Sequence, residues 1–161
     1  MRSKGKSAIL AALMAGFLFD SSLAAAAEKI LEFQLVVKQI DPRVIEAPNV
    51  PNQMVTQSKA FGVGIFKDGR IAVKDFVFVS DLNKGVGSMY GYSTYMFDDG
   101  ATITAHFTAE YKANQPVHGE YKILSGTGAY AGATGTGTLD SVSHQFKGAN
   151  LFNIKLKVMT P

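Results

Sequence analysis

The chain has 161 residues, 16 of them basic, 13 acidic and none cysteine. The missing cysteines exclude disulfides, thiol catalysis and cysteine-ligated metals. The formal charge of +3 gives no clustered basic patch, so nothing points to a nucleic-acid partner.

The N-terminus reads as an address. Arg2, Lys4 and Lys6 form a positive segment, residues 8–19 are an apolar run, and Ala25 and Ala27 stand in A-x-A positions before Glu28. This is the pattern of a secretory signal peptide, 1–27, cleaved after Ala27. The apolar run is shorter than the ~20 residues of a membrane span. The expected product is one domain, 28–161, secreted or periplasmic, with no membrane association after cleavage. Three basic residues and Asp20 leave with the signal, so the mature domain is nearly neutral.

From Glu28 the hydrophobic period is two. Leu31, Phe33, Leu35 and Val37 mark one face of a first strand. Residues 41–58 carry three prolines and read as a long loop. Residues 59–80 form two strands around Asp68-Gly69, a tight-hairpin signal of type I′. Residues 85–97 and 101–111 flank Asp98-Asp99-Gly100, a second hairpin. Residues 118–126, 134–144 and 150–159 complete eight strands, with no amphipathic helix between them. Eight strands joined by short turns would leave long open edges unless the sheet closes. The predicted fold is therefore all-β, an eight-stranded antiparallel barrel. A sandwich is the alternative that periodicity leaves open.

The segment ILSGTGAYAGATGTGTL, 123–139, fits the G-x-G-x-x-A form of a dinucleotide loop. Such a loop needs a helix to begin in it. The residues that follow, Thr134 to Thr138, are β-favouring and glycine-rich, so no helix N-terminus is available for a pyrophosphate. No cofactor is expected. Gly126, Gly128, Gly132 and Gly135 read instead as a structural corner, with Tyr130 tucked beneath it.

This corner resembles that of the plant allene oxide cyclases and the related dirigent proteins. YSTYMFDDGATITAHF, 92–107, and QID, 39–41, extend the likeness over most of the domain. The resemblance implies an eight-stranded barrel and a homo-oligomer, commonly a trimer. It also suggests an isomerase-like, cofactor-free cyclase or a dirigent-type template. The catalytic set departs from the pattern. Val36 stands where the cyclase glutamate would be, Lys38 near its asparagine partner, and Thr108 where its cavity tyrosine would be.

The remaining candidates are local. Asp75 shares strand parity with Ile71, Val73, Val77 and Val79. A carboxylate on an apolar face is costly unless paired or functional, so Asp75 leads as a cavity group if that face lines the barrel. Phe76 and Phe78 mark the opposite face as the other option. Tyr90 and Tyr92 share one face, with Tyr95 on the other, and tyrosine suits pockets because its ring is apolar and its hydroxyl orients a ligand. Glu110 and Arg70 are the other charged strand residues. In 101–111, simple burial puts Ile103 and Phe107 inside, whereas the family pattern puts Thr104, His106 and Thr108 there. His106, His118 and His144 share no metal-ligand spacing, and Asp98 and Asp99 are turn residues. The ligand-binding candidates are thus Asp75, Tyr90, Tyr92, Thr108 and Glu110, with no metal site. The leading functional expectation is a barrel that binds a small apolar or phenolic molecule. An isomerase, cyclase or template is the second, and a solid structural or interaction barrel the third.

Overall fold

The computed structural model describes residues 27–161; the expected signal segment lies outside them except for Ala27. Eight strands follow in chain order: β1 Ala27–Glu46, β2 Gln53–Phe66, β3 Ile71–Asn83, β4 Val86–Phe97, β5 Thr102–Tyr111, β6 His118–Thr127, β7 Thr134–Ser141 and β8 Asn150–Thr160. Each pairs antiparallel with the next, and β1 also pairs with β8, from Ala27 opposite Thr160 to Val37 opposite Asn150. The sheet is a closed up-and-down barrel, which removes the edges of the barrel body and excludes the sandwich.

Alternation decides what fills it. Leu31, Phe33, Leu35 and Val37 of β1 point inward, as do Ile154, Leu156 and Val158 of β8. On β5 the inward row is Ile103, Ala105, Phe107 and Ala109, so simple burial wins over the family pattern there. Large and small residues interdigitate across the lumen. Gly91 of β4 is one such small residue: a Cβ there would stand 2.9 Å from the Phe107 ring and would collide with the Val77 carbonyl oxygen.

Two local expectations are corrected. Residues 41–58 are a ribbon, not a loop. Past a bulge between Gln39 and Asp41, the β1–β2 ladder runs on from Asp41 opposite Lys59 to Glu46 opposite Met54. Pro42 sits next to that bulge, and Pro48 and Pro51 fall in the connection between the strands, where the ladder needs no donor from them. The Asp68-Gly69 hairpin also differs from the type I′ expectation, and the Asp98-Asp99-Gly100 hairpin is built the same way. Positive φ occurs at Gly69 and Gly100 but not at Asp68 or Asp99. Phe66 N–H donates to the Arg70 carbonyl and Phe97 N–H to the Ala101 carbonyl. Each loop therefore has three residues, with the glycine alone in the left-handed position.

The barrel's ends are unequal. At one end a 3-10 turn, Gly128–Tyr130, leaves β6. Gly128 has φ 58°, which turns the chain back and buries Tyr130 under it. The Tyr130 ring packs 4.9 Å from Phe97, which lies 6.3 Å from Phe66, which lies 4.7 Å from Phe33. These rings plug that end. The other end, where the β1–β2–β3 ribbon projects, is open.

Candidate functional site

The open end holds a cavity of about 310 Å³, lined among others by Val37, Phe76, Phe78, Met89, Tyr111 and Phe152, with Gln39, Thr56, Ser80 and Asn150 as polar groups. The inward rows of β1, β3, β4, β5 and β8 converge there. Phe76 and Phe78 stack at 5.9 Å, and Phe76 meets Phe107 edge-on at 5.9 Å.

Phe76 is also a wall of what lies deeper. Lys74 is the next inward residue on β3 and only 2% exposed. Its Nζ is 4.4 Å from the Phe76 ring centre, 4.9 Å from Phe107, and 5.1 Å from both Tyr95 and Tyr121. Nζ donates to Tyr121 Oη at 2.8 Å, and Tyr95 Oη donates to the same oxygen at 3.0 Å. No carboxylate answers this amine: every Asp and Glu among the described residues is solvent-exposed. Its only polar contact there is a phenol, and its other neighbours are ring faces.

The electrostatics follow. Burial lowers the Lys74 pKa from the ordinary 10.5 to about 7, because the ammonium has left water without a counter-ion. The ring faces recover part of that loss. Burial pushes the Tyr95 and Tyr121 phenols upward; the hydrogen bond from Tyr95 partly opposes the shift at Tyr121. Near neutrality the group is thus two neutral phenols beside an amine divided between its charged and free forms. One more inward hydroxyl, Ser93 Oγ, is buried with no hydrogen-bond partner.

The sequence candidates lie elsewhere. Asp75, Tyr90, Tyr92, Thr108 and Glu110 are all exposed on the outer wall. Asp75 is not a cavity group: it pairs in register with Thr94 while its neighbours Lys74 and Phe76 take the inside. The outer wall does bring several candidates together. Tyr90 stands opposite Thr108 and Val79, and Tyr92 opposite His106 and Val77. The Tyr92 and His106 rings are 5.0 Å apart. Asp75 and Tyr92 share a shallow outer groove of about 380 Å³ with Ile40, Lys59, Val77 and Thr104. Of the corner glycines, Gly128, Gly132 and Gly135 have positive φ, while Gly126 lies where the Tyr130 carbonyl oxygen comes close.

Sequence reasoning missed Lys74, Tyr95 and Tyr121 as a group. One signal was available: in AVKDFVFVS, 72–80, Lys74 shares parity with Ala72, Phe76 and Phe78. Both faces of that strand are apolar, so Asp75 and Lys74 competed, and only the barrel's closure separates them.

No protein-family profile and no curated protein matches the chain. Solved structures do. The pterocarpan synthase dirigent protein GePTS1 superposes with a TM-score of 0.60 at 18% identity, over 83% of this chain and 90% of that one. The chain has the dirigent-like barrel fold. A second pterocarpan synthase dirigent protein, PsPTS1, gives 0.58 at 16% identity, over 82% and 94%. A DUF3224-family protein of unknown function from Shewanella oneidensis gives 0.57 at 12%, over 81% and 96%. At these identities the dirigent-like barrel is a statement of fold, and function must be argued from the site.

Proposed function

We propose that this dirigent-like barrel is an exported protein that holds a small apolar or phenolic molecule in its open mouth. The observation that carries the reading is the mouth cavity, with its aromatic walls and a buried polar group beneath. Its volume falls at the small end of ligand pockets, and a few polar groups amid apolar walls are the usual composition of such sites. The N-terminal pattern of charge, apolar run and small residues supports export.

Native mass spectrometry of the protein purified from its own host tests this. A reproducible adduct that is released on denaturation, and reduced when Met89→Trp fills the mouth, is the expected result. A clean polypeptide mass, together with no uptake of added small phenols, would overturn it.

A second reading, a cofactor-free isomerase or a template for coupling, is favoured by one observation. An amine with a pKa near 7 touches a phenol inside the lumen, which is a candidate base beside a candidate acid. Loss of turnover in Lys74→Met with retained ligand uptake would separate catalysis from binding.

The homo-oligomer implied by the resemblance, a trimer, is part of the proposal. Val77, Tyr90 and Tyr92 are each about half exposed on adjacent strands of the outer wall, a contiguous apolar surface of the kind that marks association sites.

A further inference from the structure

Among the described residues Lys74 is the only Lys, Arg, Asp, Glu or His that is buried. A lysine at this position is an expensive way to fill a barrel. Methionine would occupy a similar volume without the cost of stripping water from an amine. The surroundings do nothing to recover the charge through an anion. They leave the amine one hydroxyl partner and a set of ring faces. A desolvated lysine in an aromatic pocket is the environment in which the free amine, the nucleophilic form, is populated at neutral pH.

Acid assistance is also in place, and access to the amine needs the displacement of one ring, Phe76. Phe76 lines the mouth cavity with one part of its surface and covers Lys74 Nζ with another. A ligand seated in the mouth is therefore one ring away from the amine. Tyr121 Oη contacts Nζ directly and is tied to Tyr95 Oη, so a proton can pass between nitrogen and a neighbouring oxygen without bulk water.

We propose that Lys74 is a covalent carbonyl site: its amine condenses reversibly with a small apolar aldehyde that enters through the mouth, forming an imine. The inference rests on the mouth being the ligand site and deepens it by naming the ligand class. The nitrogen lone pair attacks the carbonyl carbon, the C–N bond forms, and the π pair moves to oxygen. One proton passes from nitrogen to that oxygen through the Tyr121 hydroxyl, giving a carbinolamine. The hydroxyl then leaves with a second proton from nitrogen as one molecule of water, and the C=N bond forms. Nothing is oxidised or reduced. The apolar mouth walls select the body of the ligand, and the crowding of the cage favours an aldehyde over a bulkier ketone.

The test uses the purified full protein, cinnamaldehyde as probe, and cyanoborohydride to reduce any imine to a stable amine, followed by peptide mapping. Cinnamyl alcohol, which has the same body but no carbonyl, reports on the mouth by its own binding. The expected result is a single adduct at Lys74, formed about tenfold or more faster than at surface lysines such as Lys59 or Lys122. Adducts confined to surface lysines while cinnamyl alcohol still binds would overturn the imine and leave the pocket reading standing. Failure of both the Lys74 adduct and cinnamyl alcohol binding would overturn the two together. Because the wild-type map decides, no variant needs to fold.

Discussion

Lys74 Nζ and Tyr121 Oη meet at 2.8 Å in the middle of the barrel, from strands 47 positions apart in sequence. That contact is the polar centre of a mostly apolar lumen, and it makes the barrel's stability depend on pH. In the unfolded chain Lys74 holds its proton up to its ordinary 10.5, while in the folded barrel it releases it near 7. Between those values the unfolded state binds more protons, so stability rises with pH.

The first prediction is therefore an alkaline optimum. Unfolding free energy from urea titration should increase by roughly 3 kcal/mol between pH 6 and pH 9. Above about pH 10 the trend reverses. Tyr95, Tyr111 and Tyr121 are all held neutral by burial beyond their ordinary 10.0, so the unfolded chain loses protons that the folded one keeps. Lys74→Met should flatten the rise and be the more stable protein at pH 6. A flat wild-type profile from pH 6 to 9 would show that Lys74 is not desolvated.

The second prediction separates the two phenols. Tyr121 Oη has two partners, Lys74 and Tyr95, whereas Tyr95 Oη has one. Tyr121→Phe leaves the buried amine without its only polar contact among the described residues and should cost about 1–3 kcal/mol at pH 8. Tyr95→Phe removes one hydroxyl but keeps the Lys74–Tyr121 bond, and should cost less, about 1 kcal/mol. Urea midpoints of the two variants at one pH give the comparison. Equal costs would mean that the amine does not depend on Tyr121.

The difference between what the sequence showed and what it hid is physical. Strand count was legible because period two is imposed by the pleat itself and turn glycines sit between the runs; closure rested on the cost of open edges, since periodicity alone left a sandwich open. For β5, burial and the family pattern gave opposite orientations, and burial prevails because Thr104 and His106 are far more polar than Ile103 and Phe107. β3 could not be oriented in this way. Val73, Val77 and Val79 on one face are as apolar as Ala72, Phe76 and Phe78 on the other, so hydrophobicity gives no sign of which is inside. The site follows that sign: one choice puts Asp75 in the lumen and the other Lys74. The ribbon at 41–58 was hidden for another reason. Its pairs Val44–Thr56 and Ile45–Val55 project past the packed core, with Val44 and Ile45 largely exposed, so the core imposes little alternation on them.

The third prediction concerns packing across the lumen. The absence of a side chain at Gly91 is what lets the Phe107 ring sit where it does, beside Phe76 and Tyr121. Gly91→Ala must both push that ring and shift the β3 backbone at Val77, and should cost about 1–3 kcal/mol. It should also disturb the cage around Lys74, so the pH-dependent gain of the first prediction should shrink with it. Thermal unfolding at pH 6 and pH 9 measures both. A variant as stable as wild type, with the same pH slope, would show that the Gly91–Phe107 contact is not tight.

The last prediction addresses the outer wall. Val77 and Tyr92 are register partners, both about half exposed, and Tyr90 extends the same surface. Exposed aromatic and branched side chains on neighbouring strands are poorly matched to water, and in an oligomer they would be covered. Tyr92→Arg places a strongly hydrated charge at the centre of that surface while touching nothing in the lumen. Light scattering after size exclusion should give a homo-oligomer for wild type and a smaller species for the variant, with the Lys74-dependent pH profile unchanged. A wild-type monomer at micromolar concentration would remove the oligomer from the proposal. The exposed tyrosines would then have to be explained by contact with something other than a second copy.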